Sequence, residues 1–316
     1  MFQTTANRTS FQEQGTPASL DRGNILGPLA GAFLTALLCA VPLVLILFRG
    51  RMQPWVFMWA LAASIFANCK SHSWFAARDL VRRANWRRNV AYLLLWPGMN
   101  SSQFLDSTII VQRPAASEWL STSAITLSGA SLIWLAVRHV PQPLLAVWIG
   151  MLGLILILHF GVFHLLSLAW RAAGICAPPI MQHPLRSQSL SEFWGKRWNL
   201  GFRQLSHDWV FKPLRKDFGA GAAMLGAFLA SGLIHDLVIS VPARAGYGLP
   251  TAYFVLQGCG VLAERSAIGI RFGMGRGITG WLWMALLTVG PAYWLFHPAF
   301  ALRVMGPFLR AIGAGC

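Results

Sequence analysis

The chain of 316 residues is 55% hydrophobic and only 11% charged, where an ordinary soluble domain carries roughly 25% charged residues. Its apolar residues run in long blocks rather than at amphipathic spacing, which excludes a soluble globule of this size and replaces domain counting by span counting. The net charge is +16, and 17 of the 26 Lys and Arg fall in 70–88, 171–216 and 265–276; clustered this way beside apolar blocks they mark a cytoplasmic face, and without stacking or groove motifs they do not mark nucleic acid.

Residues 1–24 are polar and near-neutral, with Arg8 and Arg22 against Glu13 and Asp21. They lack the basic start and short apolar core of a cleaved signal. The segment is therefore read as a polar N-terminal extension, and 25–316 as a single membrane-embedded domain. Seven blocks approach the length of about 20 apolar residues that a bilayer requires: 25–48, 54–69, 119–137, 144–170, 219–241, 249–264 and 279–303. The expected fold is an all-α, polytopic transmembrane helical bundle of about 7–9 spans, integral to the endoplasmic reticulum if eukaryotic and to the inner membrane if bacterial. Parity from the basic segments puts the N-terminus and 265–276 inside, and 242–248 and the C-terminus outside.

An eighth apolar piece, 90–97, ends at Pro97-Gly98 and is too short to cross. It is either a re-entrant segment, whose irregular backbone needs burial in protein or a cavity, or an interfacial anchor built on Tyr92 and Trp96. In the span 144–170, His159 and His164 each stand among apolar residues and read as hydrogen-bonded core histidines. Their spacing of five is not the i, i+4 spacing that sets two imidazoles on one helical face for a metal. The five cysteines are scattered without CxxC or His/Cys ligand spacing, so no metal site and no disulfide framework is expected.

The insertion 171–218 interleaves eight Lys and Arg with Phe193, Trp194, Trp198, Phe202, Trp209 and Phe211. Cations offer phosphate contacts and aromatics offer flat faces, which makes Trp194, Lys196, Arg197 and Trp198 candidate substrate-binding residues. An amphipathic helix lying on the membrane explains the same composition. The next block carries His235 followed by Asp236. Ionisable groups at such depth mark a functional site by default, and a neutral imidazole suits general-base work. Asp236 is adjacent and points about 100° away on a helix, so it reads as a polar anchor near the outer interface. Gly275 to Gly280 matches GxGxxG, but without the strand a dinucleotide site requires it is a loop turn.

The string Ser189-Leu190-Ser191-Glu192-Phe193-Trp194-Gly195-Lys196-Arg197-Trp198-Asn199 resembles the wax-synthase-like branch of the membrane-bound O-acyltransferase (MBOAT) family. That branch has a segment close to S-L-x-x-F-W-G-R-R-W-N, followed by a span with S-G-x-x-H-[ED]. Both occur here in order, with Asn199 and His235 36 residues apart. Lys196 stands where Arg is common and Asp236 where Glu is common. The resemblance centres on 185–240. It implies transfer of a fatty acyl group from acyl-CoA to a hydroxyl of a lipophilic acceptor, such as a long-chain alcohol or sterol, among membrane lipid. Acyl-CoA would be co-substrate and no further cofactor is needed. His235 would be the general base, and Asn199 would position substrate or stabilise the oxyanion. Their meeting requires 199–218 to fold back into the bundle. Two rivals remain: a proton-coupled transporter, since buried His and Asp also mark proton paths, and an inactive lipid-binding membrane protein.

Overall fold

Helix is the only regular structure among the residues that the computed structural model describes, 40–315. The polar segment 1–24 and most of the span expected at 25–48 lie outside them; 40–47 is helical. The frame consists of α1 (Pro54–Ala76), α2 (Trp86–Leu95), α3 (Ala116–His139), α4 (Pro143–Ala172), α5 (Leu200–Ala243), α6 (Leu249–Arg265), α7 (Gly277–Leu295) and α8 (298–311).

Four of these, α3, α4, α5 and α7, are long and apolar enough to cross a membrane. α6, with 17 residues, is short. α1 has length enough, with 23 residues, but its second half mixes Ser64, Asn68, Lys70, Ser71, His72 and Ser73 into the apolar run. The stretch expected as one span at 279–303 is interrupted. α7 turns at Gly290-Pro291, and the chain breaks again at Phe296-His297 before Pro298 starts α8. Both breaks precede or contain a proline, which cannot continue a hydrogen-bonded helix.

α3 and α4 form a hairpin that crosses at Gly129 and Gly153. A Cβ on either glycine would press on the other's carbonyl oxygen, so the missing side chains let the backbones approach, as in membrane helix pairs generally. Pro143 opens α4, where its absent N–H costs nothing. Glu118 closes the start of α3 by accepting from the Ala115 N–H at 2.9 Å, and ties it to the end of α4 through Arg171 at 2.8 Å.

α5 is 44 residues long and would measure about 66 Å if straight. It is not straight. Gly219 has φ 78° and ψ 172°, a region essentially reserved for glycine, and a Cβ at Gly226 would overlap the Leu214 side chain. Twelve residues apart on a straight helix these two would be about 18 Å from each other. The chain therefore reverses at Gly219: 200–218 fold back beside 220–243. The first limb also leans on α1, with Phe202 6.4 Å from Phe66 and Trp209 4.4 Å from His72, ring to ring. α6 runs antiparallel to the second limb. Gly232 meets Thr251, Gly258 meets Leu225 and Phe228, and Gly221 faces Leu262.

α2 has ten residues, about 15 Å, and crosses nothing. Tyr92 and Trp96 do not project as interfacial anchors. They are buried with Phe104, Ala177 and Ile180, while Leu94 and Leu95 face outward. The irregular stretch that follows, with Trp96, Gly98 and Met99 buried, is enclosed by protein, as irregular backbone at membrane depth must be.

Candidate active site

The segment 189–199 starts as a capped turn and is anchored from a distant helix. The Ser189 hydroxyl accepts from the Glu192 N–H at 2.9 Å, and Glu264, at the end of α6 and 5% exposed, accepts from the Leu190 N–H at 2.7 Å and the Ser191 N–H at 3.2 Å. A carboxylate is well placed there, because the first N–H groups of a helical turn have no partner inside it and carry partial positive charge. Residues 193–197 then form one wide π turn, a geometry that recurs at functional sites. The segment does not lie on the membrane surface: Leu190 and Phe193 are buried against Val261 and Met284. The surface-helix alternative is thereby corrected for 189–199; the tryptophans face inward because they have protein partners.

Trp194 donates its indole N–H to Gln257 at 3.2 Å. That amide is fully buried and donates in turn to the Leu287 carbonyl at 2.7 Å. The Trp194 ring lies 5.9 Å from Phe228 and 5.6 Å from Phe254. Trp198 is stacked between Phe193 at 5.4 Å and His159 at 6.2 Å, nearly parallel to both. Arg197 is committed to protein: it bonds Glu192 through Nε at 2.8 Å and through a terminal nitrogen at 2.6 Å, and the Gln182 and His183 carbonyls. The N–H of Gln188 and the Arg197 guanidinium together hold the Glu192 carboxyl below the usual carboxylate range. Lys196 is exposed.

Asn199 occupies the left-handed region, φ 45° and ψ 54°, which asparagine tolerates better than most residues. Its backbone N–H is directed to the Met181 sulfur at 3.1 Å, and the Leu200 N–H donates to the Ile180 carbonyl at 2.9 Å. These contacts pin the turn to 180–181. Among the described residues none hydrogen-bonds the Asn199 side-chain amide. Its Oδ1 is near the open face of Gly201.

His235 is half-buried on the second limb of α5. Its Nδ1 lies 2.7 Å from the Ser231 carbonyl. A carbonyl only accepts, so Nδ1 carries the hydrogen and Nε2 keeps the lone pair. The ring rests on Phe254 at 4.3 Å. No direct bond joins Asn199 to His235. A continuous row of rings runs instead from His235 through Phe254, Trp194, Phe193 and Trp198 to His159. His159 departs from the expected hydrogen-bonded core histidine, since its buried Nδ1 has no partner among the described residues. Asp236 accepts from the Gly248 N–H at 3.0 Å and from the Thr251 N–H and hydroxyl at 3.3 and 2.5 Å. It caps the start of α6. Of the GxGxxG string only Gly275 and Arg276 lie in the expected loop; 277–280 open α7, and Gly280 closes against the Gln188 carbonyl, so the start of that helix packs beneath the motif.

Gln257, Glu264 and Phe254 escaped the sequence reading. Glu264 left a signal, an acid at the end of an apolar block; Gln257 and Phe254 left none. Among the described residues no three His, Cys, Asp or Glu gather in a metal-holding group.

Residues 177–256 match the family model described as the membrane bound O-acyl transferase family. The chain is 28% identical over 149 residues to a probable long-chain-alcohol O-fatty-acyltransferase 7 of Arabidopsis thaliana, covering 42% of this chain and 43% of that protein. It is 29% identical over 137 residues to a long-chain-alcohol O-fatty-acyltransferase of Simmondsia chinensis, covering 40% and 39%. It is 28% identical over 133 residues to an acyl-CoA–sterol O-acyltransferase 1 of Arabidopsis thaliana, covering 39% and 38%. In each case the chain matches less than half of the relative's length. Residues 177–256, which hold Trp194, Asn199 and His235, are thus similar to the membrane bound O-acyl transferase family, and the similarity to long-chain-alcohol and sterol O-acyltransferases spans less than half of the chain.

Proposed function

We propose that this protein transfers a fatty acyl group from acyl-CoA to the hydroxyl of a lipophilic acceptor, a long-chain alcohol or a sterol, within the membrane. The observation that carries the reading is the His235 tautomer: the Ser231 carbonyl takes Nδ1–H and leaves Nε2 as a base inside the family-matched segment. In the reaction Nε2 accepts the hydroxyl proton as the acceptor oxygen attacks the thioester carbonyl. The uncommitted Asn199 amide offers an N–H to the oxyanion that develops, which is where a pre-organised donor contributes most. Collapse of the tetrahedral intermediate breaks the carbon–sulfur bond, and the leaving thiolate takes the proton back from Nε2. Trp194 and Trp198 contribute to the apolar wall beside the chains through their packing with Phe228, Phe254, Phe193 and His159, and exposed Lys196 meets coenzyme A phosphates. Arg197 contributes by holding Glu192 and the turn.

The parts outside the described helices complete the same scheme: a single domain over 25–316 with about 7–9 spans, in the endoplasmic reticulum of a eukaryote or the inner membrane of a bacterium. The test is direct. Purified protein in lipid nanodiscs is given acyl-CoA with a panel of long-chain alcohols and sterols, and thiol release and ester are both quantified. Wild type forms ester with at least one pair. His235→Ala lowers the rate by about 10²–10⁴-fold and Asn199→Ala by about 10²–10³-fold. Full ester formation by His235→Ala removes the base from the scheme.

A further inference from the structure

Lys70 is the most deeply buried cation among the described residues, 2% exposed, and no carboxylate lies within ion-pair distance of it. Its Nζ donates to the Gly98 carbonyl at 2.5 Å and sits 3.4 Å from the centroid of the Tyr92 ring. Tyr92 is itself held, its hydroxyl 2.6 Å from the Ser73 hydroxyl, and the Ser101 hydroxyl donates to the Ser73 carbonyl at 2.6 Å. α1, α2 and the loop 96–101 are thus stitched together around one lysine amine. Burying a lysine amine with no counter-ion among the described residues is unfavourable in desolvation, so its place here calls for a role.

The role follows from what Gly98 touches on its other side. A Cβ at Gly98 would run into the Trp96 indole, so the loop is folded over a residue that has to be glycine. The Gly98 Cα faces Gly201, where an added Cβ would lie 3.6 Å from it and 3.7 Å from Asn199 Oδ1. Gly98 is therefore the wall behind the Asn199 turn, and Lys70 is what fixes that wall.

We infer that Lys70 is a positioning residue for Asn199, acting through the Gly98 carbonyl to hold the 96–101 loop against the 199–201 turn. The inference rests on the acyl-transfer reading for its effect on rate and on geometry alone for its effect on the loop. Two measurements on the full chain in nanodiscs separate them. In the first, Lys70→Met lowers kcat for ester formation at least tenfold while the KM for acyl-CoA stays within twofold. Lys70→Gln, which keeps an N–H for the carbonyl, recovers at least a third of the wild-type kcat. In the second, amide deuterium exchange rises in peptides covering 96–102 and 198–204 of Lys70→Met and stays unchanged over 143–155 in α4. An unchanged kcat overturns the inference, and so does a loss accompanied by a uniform rise in exchange. If Lys70→Met does not fold, Lys70→Gln decides: wild-type exchange at 198–204 with kcat within threefold supports the clamp, and a uniform rise overturns it. If wild type forms no ester with any pair, the acyl-transfer reading fails. The exchange experiment then stands alone, with a selective rise supporting the clamp and no rise overturning it.

Discussion

In the proposed scheme His235 serves as the base because a neighbouring carbonyl has already selected its tautomer, and Asn199 as the donor because its backbone, not its side chain, anchors the turn. Across the motif Glu192, Trp194 and Arg197 are saturated by protein partners, whereas Lys196 is exposed and the Asn199 side-chain amide has no partner among the described residues. Glu192 belongs to the first group. Its carboxylate is held below the usual range by the Gln188 N–H and Arg197, so its folded pKa is depressed relative to the unfolded value of about 4.3. Stability from such a group is fully present above the unfolded pKa and is lost as pH falls through the folded one. The melting temperature of Glu192→Gln is therefore below wild type by a constant interval from about pH 8 to pH 5, and the interval closes only below about pH 4. Thermal scans in matched detergent across that range check it. A gap that closes near neutral pH contradicts the assignment.

At the scale of elements, two features shape the site from opposite directions. Glu264 reaches from α6 to cap the turn at Leu190 and Ser191, and Gly219 lets α5 fold back. Glu264→Ala leaves buried N–H groups unpaired, at about 2–3 kcal/mol, while Glu264→Gln keeps an acceptor and loses less. At Gly219 a methyl group would meet no atom within 4 Å, so Gly219→Ala is penalised by backbone strain alone, about 1–3 kcal/mol. Chemical unfolding followed by circular dichroism measures both. Gly219→Ala with unchanged stability would falsify the reversal at this residue. In the sequence Glu264 shows only as an acid at the end of an apolar block, and Gly219 does not stand out at all. The apolar block 219–241 and the motif string were visible because composition and order alone carry them. The reversal was not, since a single glycine in an apolar run looks like any other, and only the closeness of Leu214 to Gly226 in the fold reveals it. Lys70 was misplaced for the same kind of reason. Counted in the basic segment 70–88 it reads as a topology cation, and only the fold reveals that Tyr92 and Gly98 close over it. The break in 279–303 had a visible cause in Pro291 and Pro298, outweighed in the reading by the continuous hydropathy around them.

Over the whole molecule, the three basic segments that hold 17 of the 26 cations are far apart in sequence and joined in space. Segment 70–88 packs with 177–180 through Leu80, Val81, Ala177 and Ile180. Segment 265–276 meets the motif where Arg265 donates to the Ser191 hydroxyl at 3.2 Å and where the neighbouring Gly280 closes on the Gln188 carbonyl. The hairpin of α5 and α6 points its other end, with Asp236, Gly248 and Thr251, the opposite way. The common side expected for these segments from the sequence thereby becomes a prediction about three positions at once. His235 lies 16 residues beyond Gly219, about 24 Å along the limb, so in the proposed scheme a substrate entering from the Gly219 end passes most of the limb beside Trp194. Single cysteines placed at the exposed positions Arg82, Lys196 and Arg276, in a background whose native cysteines are alanine, should all react with a membrane-impermeant maleimide from the cytoplasmic side of sealed vesicles. A cysteine at Tyr247, exposed on the far loop, should react only from the other side. Labelling of Arg82→Cys and Arg276→Cys from opposite faces would break the arrangement, because the contacts that join their segments to the motif leave no room for a membrane between them.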